Sequence, residues 1–145
     1  MLTETLEYLH IISLALWFGG LFGYVLIVWP SIFASENPTF PRQLLTSISV
    51  RTAPWIYMAM VSALLSLLLY LALGQSKITM PWKFGYFCAL LLLIANNVYG
   101  SIVAWPRIML SPDNSAIRSW RFFYLRMILS LILGLSMLSL AVILT

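Results

Sequence analysis

The chain has a single histidine, His10, and it lies within Tyr8–Pro30, YLHIISLALWFGGLFGYVLIVWP, an apolar run without Lys, Arg, Asp or Glu. Imidazole is the one side chain here that can both ligate a metal or haem iron and titrate near neutrality. The run is long enough to cross a bilayer, which takes about 20 apolar residues. An ionisable group at that depth is costly and needs a partner or a role. His10, Ser13, Trp17, Gly20 and Tyr24 recur at spacings of three and four, so they share a helix face that should point into a bundle. At ~1.5 Å per residue, His10 lies roughly 6–8 Å inside the outer end of its helix.

The chemistry leaves three roles open for His10. It can be a structural hydrogen-bonder, paired with Glu7 or Ser13. It can be a proton relay. It can ligate copper(I) or haem iron, and copper(I) asks for soft partners such as thioether sulfur. Met80 and Met137 fall in the same half of the chain's helices as His10. Cys88 lies about 140° around its helix from Lys83 at 100° per residue, which takes it off that site. For haem b, bis-histidine ligation within one chain is ruled out, so the second axial ligand would be Met, Lys or a residue of another chain. Glu7, Trp17 and Lys83 would shape the site, since a lysine ammonium has no lone pair to offer a metal.

A second polar layer is expected toward the other end: Tyr24, Asn96, Asn97 and Arg126. Arg126 is the only arginine well inside an apolar segment, roughly 8–10 Å from the end of its helix. It brings five donors and a permanent charge. The candidate partners are the Asn96 and Asn97 amides, a tyrosine hydroxyl, backbone carbonyls near Pro30 or Pro106, or lipid phosphate reached by snorkelling.

The elements that carry these residues follow from composition. Of 145 residues, 62% are hydrophobic and only 8% charged, against about 25% charged in soluble domains. Mean hydropathy is +0.98. A chain this short cannot hide that much apolar surface from water, so lipid is its solvent. Four apolar segments, about 6–33, 55–73, 82–105 and 122–144, predict an all-α integral membrane four-helix bundle in one domain. Pro54 is expected to start the second helix and Pro81 the third. The first loop, 34–50, is expected to be a connector with a short interfacial turn around Leu44, Leu45 and Ile48, and SPDNS in the third loop is a turn and helix entry. Trp29, Trp55, Trp82, Trp105 and Trp120 fall at segment ends, as headgroup-layer anchors do. Gly23-Tyr24 before Trp29-Pro30, and Tyr99-Gly100 before Trp105-Pro106, suggest a weak internal repeat of two helical hairpins.

Small residues mark expected helix contacts: Gly19 and Gly23 as GxxxG, Ser62 and Ser66, and Ser130 and Gly134. The same spacing would serve a homodimer or a place in a larger membrane complex. Arg42, Arg51, Arg107, Arg118 and Arg121 gather at the first and third loops, so those loops are expected to be cytoplasmic and both termini outward. The net charge of +4 is scattered, with no basic stripe interleaved with aromatics, which gives no nucleic-acid surface. A lone Cys88 excludes an intrachain disulfide and any CxxC motif. The acidic start, MLTETLEY, lacks a signal-peptide n-region, so the first helix is expected to remain in the mature protein.

LHIISLALWFGGLF resembles the opening of the copper resistance protein D (CopD-like) membrane domain. The resemblance extends to Lys83 at the start of the third helix, Ala95-Asn96 further along it, Pro106 at its end, and Arg121 and Arg126 before a leucine-rich last helix. It implies a four-helix inner-membrane protein that binds or passes copper on its outward face, with His10 as ligand. HemJ-type protoporphyrinogen oxidases share the leading Leu-His-Ile-Ile and the lysine, which would map His10 and Lys83 to haem-site positions. This chain departs from them where WPSIFAS and Asn96-Asn97-Val98-Tyr99 lack a second histidine, and where the last helix lacks Asn-Glu. The expected function is therefore copper binding rather than enzymatic. The alternatives are a haem-binding redox protein or a non-catalytic accessory subunit.

Overall fold

Helices satisfy every backbone hydrogen bond within the segment, which is what a chain in lipid must do. The computed structural model of this protein describes residues 2–34, 40–73, 80–110 and 113–144. In order they form α1 (Leu2–Gly23), a π-helical segment (Tyr24–Val28), α2 (Trp29–Phe33), α3 (Phe40–Ala72), α4 (Met80–Tyr99), a second π-helical segment (Gly100–Ala104), α5 (Trp105–Leu110) and α6 (Asp113–Leu144). Four stretches are long and apolar enough to cross a membrane: Leu2–Ser31, Thr46–Ala72, Trp82–Arg107 and Arg121–Val142. The protein is an all-α, multi-pass four-helix bundle, and no strand occurs among the described residues.

The first span is the centre of the bundle. It packs most extensively on the second and then on the fourth, while the third leans on the fourth. Leu14, Trp17, Phe18 and Leu21 are all buried, together with Ala63 of the second span, Leu90 and Leu93 of the third, and Leu131 and Met137 of the fourth. The outward faces carry Leu, Ile, Val and Phe, as a surface solvated by acyl chains requires.

Between helices in lipid, close van der Waals approach replaces the hydrophobic drive, and glycine permits it. Gly134 does so here, because a Cβ at that position would overlap the Phe18 ring. Gly20 meets Ile56, at 3.6 Å from a built Cβ. The expected Gly19–Gly23 contact is corrected. Neither glycine has a neighbour within 4 Å of a built Cβ, because the first span turns Gly20, not Gly19, toward the second.

Two further expectations change. Pro54 does not start the second helix, since α3 begins at Phe40 and runs through it. A proline inside a helix strips the carbonyl four residues back of its N–H partner. That loss is tolerable at Pro54, which is exposed, and the turns ahead of it are fastened by Leu44 on Trp29 and by a 2.6 Å hydrogen bond between Tyr24 and Thr52. The expected loop and turn at 40–50 is therefore helix. Residues 35–39, 74–79 and 111–112, which include parts of the first loop, the second loop and SPDNS, lie outside the described residues.

Trp29 is not an interfacial anchor. It is fully buried, flanked by Trp105, Phe123 and Tyr124, and its indole donates to Met127 Sδ at 3.2 Å. Trp82, near the start of α4, is exposed as an anchor is, and Trp55 is exposed too but lies inside α3 rather than at a helix end. The two Trp-Pro phrases share one local geometry: Trp29 N–H bonds to Tyr24 O and Trp105 N–H to Gly100 O. In each, a widened turn sits directly ahead of a proline and takes up the register break caused by the missing N–H.

Candidate functional site

The polar stripe of the first span meets the second span as a ladder. His10 Nδ1 lies 2.8 Å from the Ala63 carbonyl and 3.3 Å from Ser66 Oγ. Ser13 Oγ donates to the Leu9 carbonyl at 2.7 Å and shares a 2.8 Å hydrogen bond with Ser62 Oγ. Further along come Gly20 on Ile56 and Tyr24 on Thr52. His10 pairs with neither Glu7 nor Ser13, its expected partners. On a helix face three residues apart, both lie closer in sequence than Ala63, but the ring leans across the seam instead.

The Ala63 contact assigns the tautomer. A carbonyl only accepts, so the proton is on Nδ1, and a neutral ring then presents its Nε2 lone pair. That lone pair faces the Tyr86 hydroxyl, 2.8 Å away on the third span, so Tyr86 donates to it. Nδ1–H fixed on a backbone oxygen is the arrangement that aims Nε2 of ligating histidines. His10 thus ties three spans together and is buried.

Beside the pair lies a cavity of about 300 Å³. Leu67, Leu71, Ala89, Leu140 and Ala141 supply apolar walls, and Met137, Glu7 and Lys83 line it too. A volume near 300 Å³ is at the lower end for small-molecule sites, which are mostly apolar with a few placed polar groups.

Of the expected ligands, His10 and Met137 share this cavity, and the Met80 side chain lies outside those described. Glu7 and Lys83 are at the cavity, whereas Trp17 is buried in the core, stacked on Phe18 at 4.8 Å between centroids. Among the described residues no three His, Cys, Asp or Glu side chains gather around a metal-sized space. Imidazole and thioether are the right donors for copper(I), and His10 Nε2 with Met137 would hold it. Haem iron at Nε2 would, like copper(I), have to displace the Tyr86 hydroxyl. By spacing, Tyr86 shares a face of the third span with Lys83, Leu90 and Asn97, which alone gives it no partner. Its pairing with His10 depends on how the third span is rotated.

The expected inner cluster divides in two. Arg126 Nε donates to Asn96 Oδ1 at 2.6 Å, and Asn96 Nδ2 donates to Ser130 Oγ at 2.5 Å. Both ends of the amide are used. Asn97 instead donates to Met60 Sδ at 3.2 Å, and Tyr24 turns to Thr52 and Ser49. The guanidinium also lies 4.8 Å over the Tyr99 ring, a cation–π contact. A second cavity of about 310 Å³ opens in this half, between the two π-helical segments and beside Trp29, Thr52 and Trp105.

No protein-family model, curated protein or solved structure matches this chain.

Proposed function

We propose that this chain is an intramembrane binding protein that takes a lipid-soluble molecule with one oxygen-bearing head at the His10–Tyr86 pair. The observation that carries this reading is the cavity of about 300 Å³ whose polar floor is that pair and whose walls are apolar. The head exchanges for the Tyr86–His10 hydrogen bond, and the body lies along the apolar walls. Tyr86 can donate to a carbonyl, and Nε2 can accept from a hydroxyl. In this reading the frame is CopD-like, the membrane a cell inner membrane, and the His10 end outward, as the arginine-bearing loops favour.

Binding of copper(I) is the second reading, favoured by Met137 on the same cavity as His10. There the Nε2 lone pair and the thioether sulfur would be the donors, and Tyr86 would give up its place at Nε2.

A short-chain alkyl quinone, titrated against tryptophan fluorescence of the detergent-solubilised protein, tests the first reading. Saturable quenching is expected, weakened about tenfold in Tyr86→Phe and more in His10→Leu, as loss of a buried hydrogen bond implies. Quenching that is identical in wild type and His10→Leu contradicts it. Stoichiometric copper(I) uptake that needs both His10 and Met137, with no quinone effect, favours the second reading.

A further inference from the structure

The Arg126 half holds a charge whose electrostatics are not closed. Nη1 is inaccessible and has no hydrogen-bond partner, and the contacts that are made are neutral: the Asn96 amide and the Tyr99 ring. No carboxylate pairs with Arg126 among the described residues. Glu4 and Glu7 are at the opposite end of the first span, and Asp113 lies about 20 Å of helix earlier in α6. Gly100 makes the room, since a Cβ there would come within 3.1 Å of Nη2.

Arg126 borders a space of about 20 Å³, lined also by Asn96, Asn97 and Ser130. That volume holds a single small group, one water or one anionic oxygen. Water would satisfy the donor and leave the charge. A guanidinium prefers an oxyanion, which it meets with charge-assisted hydrogen bonds. Leu21, Asn97, Gly100, Phe123 and Met127 line both this space and the larger cavity of about 310 Å³, whose lining is mostly apolar. A small cationic pole and a large apolar chamber are therefore contiguous.

We propose that this half is a binding site for a single-chain anionic amphiphile. Its carboxylate or phosphate head pairs with the Arg126 guanidinium, and its apolar body enters the chamber between the two π-helical segments. The widened turns serve this site: they place Tyr24, Gly100 and Ser101 on the chamber wall, where regular helix would follow a different register.

Fluorescence quenching by brominated lipids tests the proposal, because Trp29 and Trp105 line the chamber. The full chain in uncharged detergent is titrated with dibrominated stearic acid and with its methyl ester. The acid is expected to quench saturably and about tenfold more tightly than the ester, the worth of one charge-assisted contact. Arg126→Gln brings the acid to the level of the ester, and Arg121→Gln leaves it unchanged. Equal affinity for acid and ester in wild type, or an unchanged acid affinity in Arg126→Gln, overturns the proposal. If Arg126→Gln does not fold, Ala53→Phe, which fills the chamber and keeps the charge, decides instead. Saturable quenching that survives Ala53→Phe overturns it. Unbrominated lysophosphatidic acid that relieves the quenching assigns the head to a single-chain lipid phosphate; failure to relieve it assigns the head to a free carboxylate.

Discussion

The two halves of the bundle use polar groups in opposite ways. At His10 each group in the network is neutral: Nδ1–H meets a carbonyl, Nε2 meets a phenol, and Ser66 donates to Ala63 at 3.1 Å. At Arg126 a permanent charge has an amide and a ring for company and one donor left over. The first network is closed, and it opens only by exchange of partners. The second is incomplete, and it asks for an addition. In lipid, where no water stands by, that difference separates a site that binds by exchanging a hydrogen bond from one that binds by adding one.

The contrast can be broken most violently where both halves share a joint. Gly134→Val should cost about 3 kcal/mol or more, because the new side chain lands on Phe18 and separates the first and fourth spans. Thermal unfolding in micelles would read this as loss of the cooperative transition. Gly19→Ala, with nothing near it, should change stability by less than about 0.5 kcal/mol.

Within the Arg126 half, the two partners should respond unequally. Asn96→Leu strips Nε of its acceptor and should destabilise by about 2 kcal/mol. Arg126→Met removes the charge along with its cost and should fall within about 1 kcal/mol of wild type. Equal losses in the two variants would mean that the guanidinium is a structural brace rather than an open site. In the His10 half, Tyr86→Phe should cost about 1 kcal/mol, near the typical worth of an interhelical hydrogen bond in a membrane.

Much of this frame is legible in the sequence. Four spans follow from hydropathy, and the stripe His10-Ser13-Trp17-Gly20-Tyr24 does face the bundle. Asn96 stands in the sequence as one of several candidate partners of Arg126, and the structure selects it. Other features are set by tertiary rotation and backbone geometry. The Ala63 carbonyl that orients His10 has no side-chain signature, and Tyr86 meets His10 across 76 residues. A GxxxG pattern at Gly19 and Gly23 looks like a packing face, yet Gly20 and Gly134 make the contacts. Pro54 reads as a helix start because proline is common there. Its neighbours Thr52 and Leu44 are held by the first span, and the helix passes through.

His10 is the only histidine, so selective ¹⁵N-histidine labelling gives one imidazole spectrum from the whole protein. At neutral pH the signals should show a protonated Nδ1 and a bare, hydrogen-bonded Nε2. The alkyl quinone should shift Nε2 while leaving Nδ1 on its carbonyl. A proton on Nε2, or a spectrum unmoved by saturating quinone, would contradict a pocket whose floor is the His10–Tyr86 pair.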